Sequence, residues 1–294
     1  MRNLSVVTEF ILLGIPHTKG LGTTLFVLFF SFYIFTLMGN LLILLAIVSS
    51  SRLHTPMYFF LCKLSVCDIF FPSVSSPKML FHLLGNSRAI SYSGCVSQLF
   101  FYHFLGGTEG FLYTVMAYDC FIAICYPLRY SIIMCHRVCS ILAMGTSFFG
   151  CIHATFLTTL TFQLPYCGPN EVDYYFCDIP VMLKLACADT SVLEMVGLIS
   201  VGLMPLSCFF LILTSYSCIV CSILQIHSAE GRHRAFSTCS AHLIAILLSL
   251  MPVVLNNLVT PMVNPLIYSL RNKVKYSLKN IVGGSFEPRS LSLE

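Results

Sequence analysis

Charge is the scarcest property of this chain. Only 10% of its 294 residues are Asp, Glu, Lys or Arg, against about 25% in water-soluble proteins. With 57% hydrophobic residues and a mean hydropathy of +0.86, that scarcity excludes a soluble globular domain. The net charge of +4 is small and supplies no basic field for a nucleic-acid partner. No internal repeat is found, so the inverted halves typical of many transporters are missing. No nucleophile stands beside a base and no loop is built to cradle a phosphate, so no enzyme is read here. Fifteen cysteines are present, but scattered, many of them inside apolar runs where they act as small hydrophobes. That pattern excludes a cysteine-rich secreted scaffold. Cys135-His136 with Cys139, and Cys218 with Cys221, each lack the second correctly spaced pair that a metal site requires.

What the chain does have is long apolar runs. At about 20 residues per crossing, six or seven spans and short loops use up the whole length and leave no room for a separate globular domain. Residues 20–51 carry no charge. That run is too long for the apolar core of a cleaved signal peptide, so it reads as a signal anchor. Further spans are expected over 57–80, 95–127, 139–162 and 195–224. The polar insertion 163–194 separates the fourth from the fifth and carries the acids Glu171, Asp173, Asp178, Asp189 and Glu194. Threaded this way, Arg52, Arg129, Arg137, Arg232, Arg234, Arg271, Lys273, Lys275, Lys279 and Arg289 fall on one side. The positive-inside rule makes that side cytoplasmic and puts the N-terminus outside. Residues 1–20 are then a short outer tail, with a glycosylation acceptor at Asn3-Leu4-Ser5. Residues 21–270 form the membrane bundle. Residues 271–294 form a cytoplasmic tail, with Val274, Leu278 and Ile281 on one face of a short helix lying on the membrane.

The organising stretch is 95–127. A carboxylate at bilayer depth is expensive and marks a functional site by default, and Glu109 sits in the middle of this span. Met116-Ala117-Tyr118-Asp119, followed by Ile124-Cys125-Tyr126-Pro127, resembles the inner end of the third span of olfactory receptors, which are rhodopsin-like G-protein-coupled receptors. The run Arg234 to His242 resembles the entry to that family's sixth span. Asn264-Pro265-Leu266-Ile267-Tyr268 resembles the end of its seventh. The resemblance implies an all-α membrane protein, a rhodopsin-like helical bundle in the plasma membrane. Only 21 residues separate His242 from Asn264, roughly half of what two spans and a loop need. The expected bundle therefore has five full spans plus shortened sixth and seventh helices. A hairpin turning near Leu255–Asn257 keeps the basic tail inside; a single helix over 243–270 would expel it.

The resemblance also assigns residues. Cys95 and Cys177 resemble the pair tying the third span to the second outer loop, and Cys167 and Cys187 the extra pair of olfactory receptors. Tyr102, His103, Gly106 and Gly107 would line the odorant pocket with Ser200, Val201 and Met204. The rival reading for these positions is packing, since glycines let helices approach closely. Asp68 and Glu109, with Asn40 and Asn264, would hold a sodium ion; alternatively one acid is protonated and simply hydrogen-bonded. No other cofactor is implied. Asp119, Cys120, Tyr216 and Tyr268 occupy the switch that meets the G protein. Cys120 stands where the family usually has arginine, and a thiol offers neither charge nor a forked donor. The implied function is an odorant receptor binding small volatile molecules and coupling to the olfactory stimulatory G protein. The alternative is a truncated, non-signalling relic retained in the secretory pathway, or a partner for other receptors.

Overall fold

The computed structural model describes residues 7–14, 21–50, 53–167 and 170–225, with isolated positions between 228 and 244. Asn3, the expected hairpin, Asn264, Tyr268 and the tail helix lie outside these residues, as does the side chain of Val201. Among the described residues, five helices are long and apolar enough to cross a membrane: α1 (Leu21–Ser49), α2 (Pro56–Leu83), α3 (Tyr92–Cys125), α5 (His136–Phe162) and α7 (Ser191–Leu224). Two short helices, α4 (Tyr130–Ile133) and α6 (Ile179–Leu185), lie in the connections.

Local chemistry sets the helix ends and corrects the expected limits by a few residues. Helix α2 opens on Pro56 after an extended Thr55, where the missing N–H costs nothing. Helix α3 starts three residues before Cys95, because the Ser91 hydroxyl accepts a hydrogen bond from the Gly94 N–H at 3.1 Å. It ends at Cys125 rather than Pro127, since the residue before a proline is pushed out of the helical region. Helices α5 and α7 begin at His136 and Ser191, ahead of the expected 139 and 195.

Helix α3 is the axis of the bundle. It packs against α2, α5 and α7, whereas α1 contacts α2. Half of the most apolar stretch of α3 is buried, against 6% of that of α1. The outward faces carry bare apolar side chains such as Phe35, Val48 and Phe148, as suits helices whose solvent is lipid. One core cluster joins Phe60 and Leu64 of α2, Leu112 and Met116 of α3, and Ile212 and Ile219 of α7. A second closes the disulfide end, with Phe10, Leu12, Leu99, Val172 and Met182.

That second cluster includes a small sheet beside the helical bundle, which takes in residues from the stretch before α1. Strand β1 (Glu9–Leu12) lies between β2 (Ala89–Ser91) and β3 (Glu171–Val172), antiparallel to β2 and parallel to β3. Side chains two apart share one face of a strand. Phe10 and Leu12 therefore both point into the core, only 1% and 2% exposed. Beyond the strand, Gly14 takes a positive φ of 76° with the His82 ring against it, a conformation that L side chains resist.

The tightest helix contact is between α3 and α5. A Cβ on Gly150 would stand 2.6 Å from Thr108 Oγ1 and 3.0 Å from the Phe104 carbonyl oxygen. Gly150→Ala must therefore spread the two helices. Overpacking of this kind costs about 1–3 kcal/mol, so the variant is expected to melt several degrees lower in detergent, measured by a thiol-reactive or tryptophan-free unfolding assay. Gly145→Ala, with nothing within 4 Å of its Cβ, is expected to leave the melting point unchanged.

Candidate functional site

Two disulfides pin the connection between α5 and α7 over one end of the bundle. Cys95 joins Cys177 with Cα atoms 5.5 Å apart, bridging 82 positions. Cys167 joins Cys187 at 5.9 Å, bridging 20. Both separations lie within the range a disulfide accepts. Gln98 reinforces the first bridge. Its side-chain oxygen accepts from the Cys177 N–H at 2.8 Å, and its amide donates to the Val74 carbonyl at 3.2 Å. One buried side chain thus ties α2, α3 and the loop.

The residue after Cys177 is Asp178. Its carboxylate caps α6 by accepting from the Ile179 N–H at 2.8 Å. Burial nevertheless raises its pKa to about 6, with that N–H pulling the other way. The same oxygen lies 3.8 Å from His103 Nε2, beyond hydrogen-bonding reach. The disulfide thus delivers an acid from the loop to the buried imidazole of α3.

Several of the residues named from the sequence lie around His103. The Tyr102 ring packs on Phe71 of α2 at 5.1 Å and on Phe176 of the loop at 4.9 Å. The His103 ring faces His153 of α5 at 6.2 Å. Gly106 meets Phe71, and Gly107 meets Gly150, the Met204 methyl group and His153. The Ser200 backbone stands beside the His153 ring, although not in hydrogen-bonding geometry. His103, Gly107, Met204 and the Ser200 backbone therefore lie near His153, between α3, α5 and α7. Tyr102 and Gly106 share Phe71 of α2 instead. Gly107 lies in the contact between α3 and α5, beside Gly150.

Halfway along α3, the Glu109 carboxyl group lies beside that of Asp68 of α2. Glu109 Oε1 is buried and has no partner among the described residues. An oxygen pair of this kind fits a hard cation. Asn40 is not drawn to it, because its amide nitrogen donates to the Thr36 carbonyl of its own helix at 3.0 Å.

At the opposite end of α3, Asp119 is only 2% exposed and accepts a hydrogen bond from the Tyr130 hydroxyl of α4 at 2.9 Å. Cys120 is buried in the same core cluster as Tyr216 of α7. Cys125 Sγ and Ser222 Oγ stand 3.0 Å apart, a further link between α3 and α7. Gln98, Tyr130, His153 and Asp178 are the polar residues that the sequence left unassigned. Only Asp178 carries a local signal, its position next to a bridged cysteine.

A bundle of apolar helices around one central span, capped by a disulfide-tied loop and holding polar groups at depth, is the architecture of a multi-pass membrane protein. Comparison with known proteins gives the particular family. The olfactory receptor family pattern matches residues 29–260. The chain is 84% identical over 254 residues to mouse olfactory receptor 10D1B, covering 86% of this chain and 82% of that protein. It is 65% identical to mouse olfactory receptor 10D3, with 86% and 81% covered, and 64% identical to human olfactory receptor 10D3, with the same coverage. The chain belongs to the olfactory receptor family of rhodopsin-like G-protein-coupled receptors.

Proposed function

We propose that this odorant receptor takes its ligand, a small volatile molecule, between α3, α5 and α7, in a plasma membrane with its N-terminus outside. The convergence of His103, Met204 and the Ser200 backbone with His153 under the disulfide-pinned loop carries the reading. Burial of apolar ligand surface there would supply most of the affinity, at about 25 cal/mol per Å². Asp68 and Glu109 would hold sodium by charge attraction, with Asn264 the further ligand implied by the family. The G-protein partner would meet the end of the bundle bearing Asp119, Cys120, Tyr216 and Tyr268.

The test is direct binding. The full chain in lipid nanodiscs is expected to melt higher in the presence of some members of a broad panel of volatile odorants. Substituting Gly107 by leucine should abolish those shifts, because the new side chain fills the space held by the Met204 methyl group. No shift from any odorant in the panel would refute the reading.

A second reading is a non-signalling partner for other receptors. It is favoured by Cys120, which is buried without charge where the family's arginine would contact the G protein.

A further inference from the structure

Three ring nitrogens at the level of the pocket have no hydrogen-bond partner among the described residues: Nε2 of His103, and Nδ1 and Nε2 of His153. His103 is only 8% exposed. The two rings face each other nearly at right angles, 80°, with centroids 6.2 Å apart. Buried polar atoms are nearly always satisfied, and leaving one unsatisfied is costly. Such atoms on two facing rings point to an occupant that bridges His103 Nε2 and one nitrogen of His153.

Beside His153, the side chain that such an occupant would displace is Met204. The Met204 methyl group sits 3.7 Å and 3.2 Å from where a Cβ on Gly107 and Gly110 would stand, and His153 Nδ1 lies 3.9 Å from the first of these. Methionine has three rotatable bonds and fills irregular gaps, so it can be displaced without moving a helix. Behind it are two glycines of α3, which present backbone and no side chain.

The donor and acceptor pattern narrows the chemistry. A neutral imidazole carries one N–H donor and one acceptor nitrogen. A group that both gives and takes a hydrogen bond through one atom suits two such rings, and a hydroxyl does this. An aldehyde only accepts, and a hydrocarbon does neither. A carboxylate would be brought towards Asp178, which stands 3.8 Å from His103. An ammonium only donates, and it would bury a charge whose desolvation is expensive.

We propose that His103 and His153 form the head-group site for an uncharged, hydroxyl-bearing odorant. Its O–H donates to one imidazole nitrogen and its oxygen accepts from the other ring. Its apolar body takes the place of the Met204 methyl group against Gly107 and Gly110. This deepens, and rests on, the odorant-binding reading above.

The experiment uses the full chain in nanodiscs with sets of odorants matched in carbon skeleton (linear, branched and ring) and differing only in the head: alcohol, aldehyde, acid, amine or hydrogen. Within at least one skeleton the alcohol is expected to bind roughly tenfold or more tighter than its partners. His103→Phe and His153→Phe should each bring the alcohol down to the affinity of the hydrocarbon while leaving hydrocarbon binding unchanged. His153→Gln keeps a donor and an acceptor and should retain part of the preference, so misfolding of the phenylalanine variants does not decide the matter. Tightest binding by an aldehyde, acid or amine overturns the proposal. Equal binding of all heads overturns it too, but leaves odorant binding intact. Binding by none refutes both.

Discussion

Replacing Cys177 by serine is expected to remove the protein from the cell surface without stopping its synthesis. Cys95 and Cys177 are both fully buried, and their bridge closes a loop of 82 positions. Loss of a native disulfide costs about 2–5 kcal/mol in small extracellular domains. One or two kcal/mol already changes the folded ratio by a factor of about 5–30. More than the cross-link is at stake. The Cys177 N–H held by Gln98 and the neighbouring Asp178 cap are positioned by the same bridge. An epitope placed at the N-terminus and stained on intact and on permeabilised cells reads both pools. Cys177→Ser should lose roughly nine-tenths or more of the surface signal, on the same scale of stability loss. Cys167→Ser, whose bridge is exposed and spans 20 positions, should lose less, and exposed Cys151→Ser should lose nothing. Surface staining of Cys177→Ser equal to that of the unaltered chain would show the bridge dispensable. Absence of N-terminal staining on intact cells for the unaltered chain would contradict the proposed orientation and location.

The second large effect concerns coupling. The unaltered chain, once at the surface, is expected to give no odorant-evoked rise in cAMP, and Cys120→Arg alone is not expected to restore one. In the family pattern the arginine at this place pairs with its acidic neighbour at rest and reaches the G protein when active. Here Asp119 is held by the Tyr130 hydroxyl, and Cys120 is embedded in an apolar cluster with Met116, Ile212 and Tyr216. An arginine at 120 therefore enters a core whose neighbouring acid already has a partner. A ligand moves a two-state equilibrium only through its difference in affinity for the states. With only 21 residues between His242 and Asn264, too few for the outer parts of the two spans that the family implies, little ligand contact would bear on the element that moves. Inserting that outer segment together with Cys120→Arg is the combination expected to signal. A cAMP response to any odorant from the unaltered chain would overturn both halves of the argument. A response from Cys120→Arg alone would overturn the second half.

The division between sequence and structure is clearest along α3. That this stretch crosses a membrane follows from composition: a run of apolar residues long enough to span has no stable place in water. Glu109 was legible for the same reason, since a single acid in such a run is conspicuous wherever the neighbouring helices lie. The basic loops, the apolar spans and the motif around Asp119 are likewise local properties of the chain, and they sufficed for the class and the family.

What depended on tertiary structure were the partners brought from far away. His153 lies 50 positions from His103, and no periodicity within α5 marks it as facing α3 rather than lipid. Asp178 reaches His103 because the Cys95–Cys177 bridge carries the loop there. Tyr130 and Gln98 gain their roles from the hydroxyl and amide geometry at Asp119 and Cys177. The strand Glu9–Leu12 was hidden because one acid and three consecutive apolar residues become a strand only when β2 and β3 supply hydrogen-bond partners. Helical spans announce themselves because their backbone bonds and their hydrophobic solvent require only their own residues. Pockets, caps and small sheets are made by distant residues meeting, and that meeting is a property of the fold.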